Sequence, residues 1–236
     1  MAQNDKDKSC ENCIVRQFNN LSALNTEELK KVSESKITKK VKKGETIFEQ
    51  GETLNGVFCI REGVTKLSKL SSNGKDQILR LVTKGELLGK SSIISEEKSN
   101  LEAIALNDTE VCFIPKEKIA VPLKTNPQFT LEVLKTMVND LKESNDSILR
   151  LSQKNVKQRI AQTLLYLKKN YGEDDEGFLK LNLQREDLAN VIGTAVETCI
   201  RNVSLLKANG YIELSGKKIA IKDSKKLKRF IEDFKN

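Results

Sequence analysis

Gln184-Arg-Glu-Asp-Leu-Ala-Asn-Val-Ile-Gly-Thr-Ala-Val-Glu-Thr-Cys-Ile-Arg201 is the stretch that decides the fold. Its first nine residues place Leu188, Ala189 and Ile192 on the inner face of a short helix. Gly193 permits a tight turn, and a second helix is predicted over 197–207. Ala189 and Gly193 stand four apart, a small side chain on the first helix and a glycine at the bend, which is what the close approach in a helix-turn-helix requires. The second helix of such a unit lies in the DNA major groove. Val196, Glu197 and Arg201 fall on its outward face. Arg can bond guanine O6 and N7 together, and Glu can accept from cytosine N4. Two plainer readings exist. Thr194-x-x-Glu197 is also the signature of a capping box. Glu197 and Arg201 are i,i+4 and can form a surface ion pair.

The flanks favour DNA. Downstream, Gly210-Tyr-Ile-Glu-Leu-Ser-Gly216-Lys-Lys-Ile-Ala-Ile-Lys222 reads as a hairpin, a wing with Lys217 and Lys218 at its tip for phosphate. A last helix is expected over 225–234, beginning with Lys225, Lys226, Lys228 and Arg229. Upstream lie a short strand at Phe178–Leu181, an acidic loop at Tyr171–Gly177 and an amphipathic helix over 156–170. The formal charge of the 236 residues is +8, and +6 of it falls in residues 154–236, where 17 Lys and Arg face 11 Asp and Glu.

Before this unit, no Gly or Pro interrupts the chain from Phe129 to about Lys154. Leu134, Leu141 and Ile148 repeat at seven, with Met137, Ser144 and Leu151 three residues on, which predicts a helical dimer seam. A helix lying on its own domain is the competing reading. Earlier still, short alternating or compact apolar segments are punctuated by Gly51, Asn55-Gly56, Gly63, Asn73-Gly74, Gly85 and Gly89, as in an antiparallel barrel or roll. A short helix is expected over 21–36, capped at Thr26. The fold class is therefore α+β: an N-terminal antiparallel β-roll, a long dimerisation helix and a C-terminal winged helix-turn-helix. The expected domains are 1–20 (a Cys-containing segment), 21–126 (the roll), 127–153 (the dimerisation helix) and 154–236 (the DNA-binding domain).

Composition removes whole function classes. The chain has no His and no Trp. Without His there is no Ser-His-Asp or Cys-His nucleophile and no His-ligated metal, and no paired-carboxylate or phosphate-cradling motif appears, so an enzyme is not expected. No apolar run approaches the ~18 residues of a membrane span. The polar opening Met1–Ser9 lacks the apolar core of a signal peptide, so a cytoplasmic location is expected. Five Cys in a reducing compartment are buried residues or working thiols rather than a disulfide framework.

The succession of roll, heptad helix and winged helix, with Gly193-Thr-Ala-Val-Glu-Thr-Cys-Ile-Arg201, resembles the CRP/FNR family of bacterial transcription regulators from about residue 10 to the end. The resemblance implies that Glu197 and Arg201 read a TGA-type core in each half of a palindrome, with Thr194, Val196, Thr198 and Ile200 beside them. Val196-Glu197-Thr198 is similar to the oxygen-sensing FNR branch; the cyclic-AMP branch has a base-contacting Arg at the Val196 position. Two positions depart from the family: Ile200 stands where the FNR branch has a base-reading Ser, and Asn202 where an aliphatic residue is usual.

The same resemblance bears on the sensor. Aligned at Gly89, Lys90 replaces the ribose-binding Glu of the cyclic-AMP branch, Asn100 the phosphate-binding Arg and Leu101 the Ser. Loss of that Arg removes a charge-assisted bidentate contact, so cyclic AMP is not the expected ligand. A different anion held at Gly89, Lys90, Ser91 and Ser92 remains open. In the FNR branch an N-terminal CxxC, a third Cys six residues on and a fourth in a Val-Cys-x-Ile-Pro stretch hold a [4Fe–4S] cluster. Cys10 and Cys13 match the pair and Cys112, in Val111-Cys-Phe-Ile-Pro115, the fourth, whereas Asn19 replaces the third. Asp5, Asp7, Glu11 or Cys59 could complete the set, although Cys59 and Cys199 read as buried apolar positions. A thiol switch, zinc, or no function are the other readings of the CxxC, and the effector is open.

The expected function is a homodimeric regulator that binds palindromic duplex DNA under control of an effector or redox signal, with RNA polymerase as partner if it activates. The alternative is an effector-binding or scaffold protein whose helix-turn-helix no longer binds DNA.

Overall fold

The computed structural model describes Cys10 and residues 12–72 and 74–232. Asp5, Asp7 and Glu11, named above as oxygen donors, and the expected end of the last helix at Phe234 lie outside the described residues. The chain divides into two compact units, Met1–Lys142 and Glu143–Asn236.

In the first unit, two 3-10 turns, Ile14–Phe18 and Asn20–Ala23, precede α1 (Thr26–Ser35). The helix expected over 21–36 therefore starts later, and its cap is Asn25 rather than Thr26. Asn25 Oδ1 accepts from Glu28 N and Glu28 Oε2 accepts from Asn25 N, both at 2.9 Å, so two orphan amides are satisfied reciprocally. Eight strands follow: β1 (Ile37–Val41), β2 (Thr46–Phe48), β3 (Gly56–Glu62), β4 (Val64–Leu70), β5 (Asp76–Thr83), β6 (Leu87–Leu88), β7 (Glu102–Ala105) and β8 (Thr109–Pro115). They form two antiparallel four-stranded sheets, β1-β8-β3-β6 and β2-β7-β4-β5. This is the expected roll.

β3 is buried continuously from Gly56 to Ile60, because one face meets the core and the other is covered too. Gly56 is required at its start: an added Cβ would lie 2.2 Å from the Ile114 carbonyl oxygen. Two helices were not anticipated, α2 (Lys90–Ser95) and α3 (Glu117–Thr125). The stretch beginning at Gly89 reads locally as a turn, and Pro122 argues against a helix in which it nevertheless sits.

α4 (Pro127–Gln153) matches the expected long helix. Pro127 occupies its first position, and Asn126 Oδ1 accepts from Phe129 N at 3.0 Å, a cap joined to a residue whose φ is preset for a helix. Asn20, almost fully buried, donates to Glu132 O at 2.8 Å and Thr136 Oγ1 at 2.7 Å, so the segment expected to stand apart at 1–20 is tied to α4 by its described end. Cys10 and Val15 likewise belong to the roll's core.

The second unit contains α5 (Val156–Tyr171), α6 (Arg185–Ile192), α7 (Val196–Ala208), β9 (Ile212–Ser215), β10 (Lys218–Ile221) and α8 (Ser224–Glu232). α5 packs on α6, α7 and α8. Ile160, Ala161, Leu164, Leu188, Leu206 and Leu227 are no more than 1% exposed, so each helix buries one stripe in a common core. No regular strand forms at Phe178–Leu181. Phe178 makes an isolated bridge to Ala220 and Leu179 one to Glu173, an abbreviated third strand beside the wing.

Candidate nucleic-acid interface and sensor site

α6 ends at Gly193, whose left-handed conformation (φ 66°, ψ 57°) lets the chain turn, with the amides of Gly193 and Thr194 both donating to Ala189 O. Ala189 is wholly buried at this crossing. Arg159 of α5, unsuspected from sequence, donates to Gly193 O at 3.3 Å and to Lys154 O at 2.7 Å, fixing the bend to the helix behind it. Burial holds its guanidinium pKa below the usual value.

α7 has one buried side and one open side. Cys199, Asn202, Val203 and Leu206 face the core. The Cys199 thiol is pushed up to about 11 by burial, against a smaller opposing effect of Arg185, so it packs as a neutral group. Asn202, unexpected at an aliphatic position, is accommodated because Nδ2 donates to Thr198 O at 2.8 Å on its own helix. Glu197, Ile200 and Arg201 are exposed, while Val196, Thr194 and Thr198 are half-buried. The capping-box reading of Glu197 is overturned: the N-cap is Ala195, and no side chain caps the helix. The ion-pair reading also fails, since no salt bridge joins Glu197 to Arg201 among the described residues.

At the wing, Lys217 is exposed on the β9–β10 turn, and its carbonyl accepts from Arg185 Nη1 at 3.3 Å. Lys218 is committed elsewhere. Its Nζ pairs with Asp174 at 3.1 Å and Glu176 at 3.7 Å and lies 5.4 Å from the centre of the Phe178 ring. The acidic loop thus holds the lysine that was expected at phosphate, and Lys217 is the cation left at the tip.

Along α4, Leu134, Leu141, Ile148 and Leu151, named above for the seam, are between 43% and 63% exposed. Met137, expected in the same seam, is half-buried and packs against the roll's core. Leu131 and Val138 are exposed instead, giving Leu131, Leu134, Val138, Leu141, Asn145 and Ile148 at alternating three- and four-residue steps.

At the expected anion site the cation is already engaged. Gly89 is left-handed (φ 79°), and Lys90 Nζ pairs with Asp140 Oδ2 of α4 at 2.7 Å. Arg80 joins the same carboxylate at 2.6 Å and Glu86 at 2.5 Å. A protein carboxylate occupies the cation that an anion would need. Neither Lys90 nor Ser91 nor Ser92 lines the roll's cavity of about 340 Å3, which lies instead among residues such as Ile37, Lys39, Glu52, Phe58 and Phe113.

In the roll, Cys10, Cys59 and Cys112 are buried and Cys13 half-buried. The Cys59 thiol is pushed up to about 12, first by burial and then by the sulfurs of Cys112, Cys13 and Cys10. Cys10 is raised by burial, opposed by the Lys36 ammonium. Among the described residues, no three Cys, Asp or Glu are placed to hold a single metal ion. The donor chemistry nevertheless suits an iron–sulfur group: Cys10, Cys59 and Cys112 come from separate segments into one buried cluster, and Cys13 packs against it.

The family described as "Cyclic nucleotide-binding domain" matches residues 38–126, and that described as "Crp-like helix-turn-helix domain" matches residues 158–230. The chain is 30% identical over 220 residues to the transcriptional activator protein FnrA of Stutzerimonas stutzeri, covering 91% of this chain and 89% of that protein. The chain belongs to the CRP/FNR family. The fumarate and nitrate reduction regulatory protein of Salmonella typhimurium is also 30% identical, over 91% of this chain and 87% of its own length. A transcriptional regulator of the crp/fnr family from Eubacterium rectale superposes with a TM-score of 0.76 at 25% identity, over 90% of this chain and 97% of that one. These CRP/FNR relatives are regulators, and this chain is a transcription regulator rather than an enzyme. No helix among the described residues is long and apolar enough to cross a membrane.

Proposed function

We propose that the chain acts as a cytoplasmic homodimer that reads palindromic duplex DNA through α7 and responds to a redox signal at the thiols of the roll. The observation that carries the DNA reading is the division of α7. Its inner side is locked into the core by Cys199, Val203 and Leu206, while Glu197 and Arg201 stand one turn apart on the open side with no intramolecular partner among the described residues. Such groups lose no internal bond on meeting base edges, and a fixed helix sets their register. Thr194, Val196, Thr198 and Ile200 would flank them, with Lys217 on phosphate. The stripe on α4 from Leu131 to Ile148 supplies the dimer seam, and Asn145 within it would fix register. As an activator the dimer would also touch RNA polymerase.

Cys10, Cys13 and Cys112 would hold an iron–sulfur cluster, whose oxygen lability would supply the signal. Lys36 beside Cys10 partly opposes the rise in its thiol pKa that burial causes. Cyclic AMP is not the proposed effector: Asn100 stands where its phosphate-binding Arg would be, and the Lys90–Asp140 pair supports the same reading.

A shift assay on a TGA/TCA palindrome across a salt series, with and without air, tests the proposal. Specific binding whose affinity changes on aeration is expected. Absence of specific binding in both conditions would leave the scaffold reading.

A further inference from the structure

We infer that Cys59 is the fourth thiolate of the metal-binding set, with Cys10, Cys13 and Cys112, and that Asn19 serves as a hydrogen-bond donor to its sulfur rather than as a ligand. The identity of the metal rests on the iron–sulfur reading above; the ligand set does not.

The placement comes from three segments. Cys59 on β3 and Cys112 on β8 are register partners in an antiparallel ladder. Residues directly opposite share a face, with Cβ atoms about 4.5–5.5 Å apart. Cys10 and Cys13 pack into the same core cluster as this pair; Cys13 N donates to Cys10 O at 3.3 Å, and Cys10 N donates to Ser33 Oγ of α1 at 3.0 Å. Six residues past Cys13, Asn19 Nδ2 donates to Cys59 Sγ at 3.4 Å. Four of the chain's five cysteines thereby belong to, or pack against, one core cluster of the roll, and Cys199 lies in the other unit.

Asn19 is unsuited to ligation because both ends of its amide are engaged. Oδ1 accepts from Leu21 N at 2.9 Å and so caps the second 3-10 turn, while Nδ2 is directed at Cys59. Freeing Oδ1 for iron would uncap the turn. A buried Cys59 alone would need no explanation beyond packing. Packing does not explain why an amide N–H is spent on its sulfur, nor why Cys10, Cys13 and Cys112 share its core cluster. Hydrogen bonds to ligand sulfurs tune such centres, and Thr38 Oγ1, 3.7 Å from Cys112 Sγ, is placed to supply a second one. Each thiol gives up its proton as its S–Fe bond forms, with no change in oxidation state required of the protein.

The test uses the full chain, purified without oxygen and reconstituted with ferrous iron and sulfide, comparing wild type with Cys59→Ser, Cys59→Ala, Cys59→Ser/Asn19→Cys and Cys199→Ser. Iron and sulfide per chain, the visible charge-transfer spectrum and Mössbauer parameters are measured. Wild type and Cys199→Ser are expected to carry the same cluster, both Cys59 single variants to lose it, and the double variant to regain it. Regain shows that the loss was of a ligand rather than of the fold. If both single variants keep wild-type iron and spectrum, Cys59 is not a ligand and the iron–sulfur reading stands without it. If wild type takes up zinc and no cluster, and loses the zinc in both Cys59 variants, the iron–sulfur reading fails and the ligand set stands. Wild type that binds neither metal, or that shows a Cys59–Cys112 disulfide in its place, overturns both.

Discussion

On α7, Glu197 and Arg201 lie one turn apart and make no bond to each other or to their neighbours among the described residues. In the roll, Lys90 and Arg80 come from different elements and converge on the single carboxylate of Asp140. Both arrangements place charge where a family resemblance anticipates a ligand, and they have opposite consequences. A solvated, unpaired charge on a rigid helix costs little and stays available to DNA. A cation at 14% side-chain exposure that already holds a carboxylate is satisfied, and an incoming phosphate would have to displace Asp140 first. The same contrast recurs within the wing, where Lys217 is left open and Lys218 is bound to Asp174 and Glu176. Availability, not residue type, separates a recognition group from a structural one.

The largest test of this contrast concerns the seam that would make recognition bivalent. Leu141→Asp should separate the subunits, and affinity for a full palindrome should fall by about 10²–10⁴-fold while half-site binding persists. Sedimentation and shift assays on whole and half sites measure it, and an unchanged dimer would remove α4 as the seam. Next, Ile60→Ala and Leu164→Ala each truncate a fully buried side chain, one in each unit, and should cost about 2–5 kcal/mol. Calorimetry should show each lowering a different transition if the units unfold separately; one shared transition shifted by both would refute that.

A finer test separates base reading from phosphate contact. Arg201→Ala should cost about 1–3 kcal/mol and relax preference at one base pair, whereas Lys217→Ala should weaken all sequences alike and reduce the salt slope by about 1. Lys218→Ala should leave that slope unchanged, because its ammonium is already paired. The smallest effect is the pH dependence of this pair. Asp174 is held below the usual carboxylate range, first by the Phe178 backbone amide, with Lys218 contributing; Lys218 is raised, first by its bond to Asp174. The Asp174 contribution to stability is thus present above its unfolded pKa and lost as pH falls through its folded one. The Lys218 contribution is present below its unfolded pKa and lost as pH rises through its folded one. Amide exchange at Phe178 should be slowest between those limits, and a flat profile would contradict the pairing.

Much of the recognition unit was legible in the sequence because its determinants are local. Ala189, Gly193 and the apolar stripes of α5–α7 lie within a few turns of each other, and helical periodicity reports them directly. The roll's strands were legible from alternation and glycine turns, while α2 and α3 were not, because Gly89 and Pro122 are local signals against what long-range packing imposes. Met137 and Val138 show the limit of a heptad count: both fit a helical stripe, and only the roll's presence against α4 decides which of them is covered. Lys218 shows the same limit for charge, since its partners Asp174 and Glu176 lie some forty residues earlier.

The sequence by itself determined the order of roll, long helix and winged helix, the side of α7 that carries Glu197 and Arg201, and the absence of any His for catalysis or metal binding. Patterning and composition are properties of short segments and of the whole chain, and both can be read without coordinates. Only the tertiary structure decided which charges remain free and which thiols meet. Lys90 meets Asp140, and Cys59 meets Asn19 and Cys112, across separations of forty residues or more. Such pairings depend on strand register and helix docking, which no local pattern encodes.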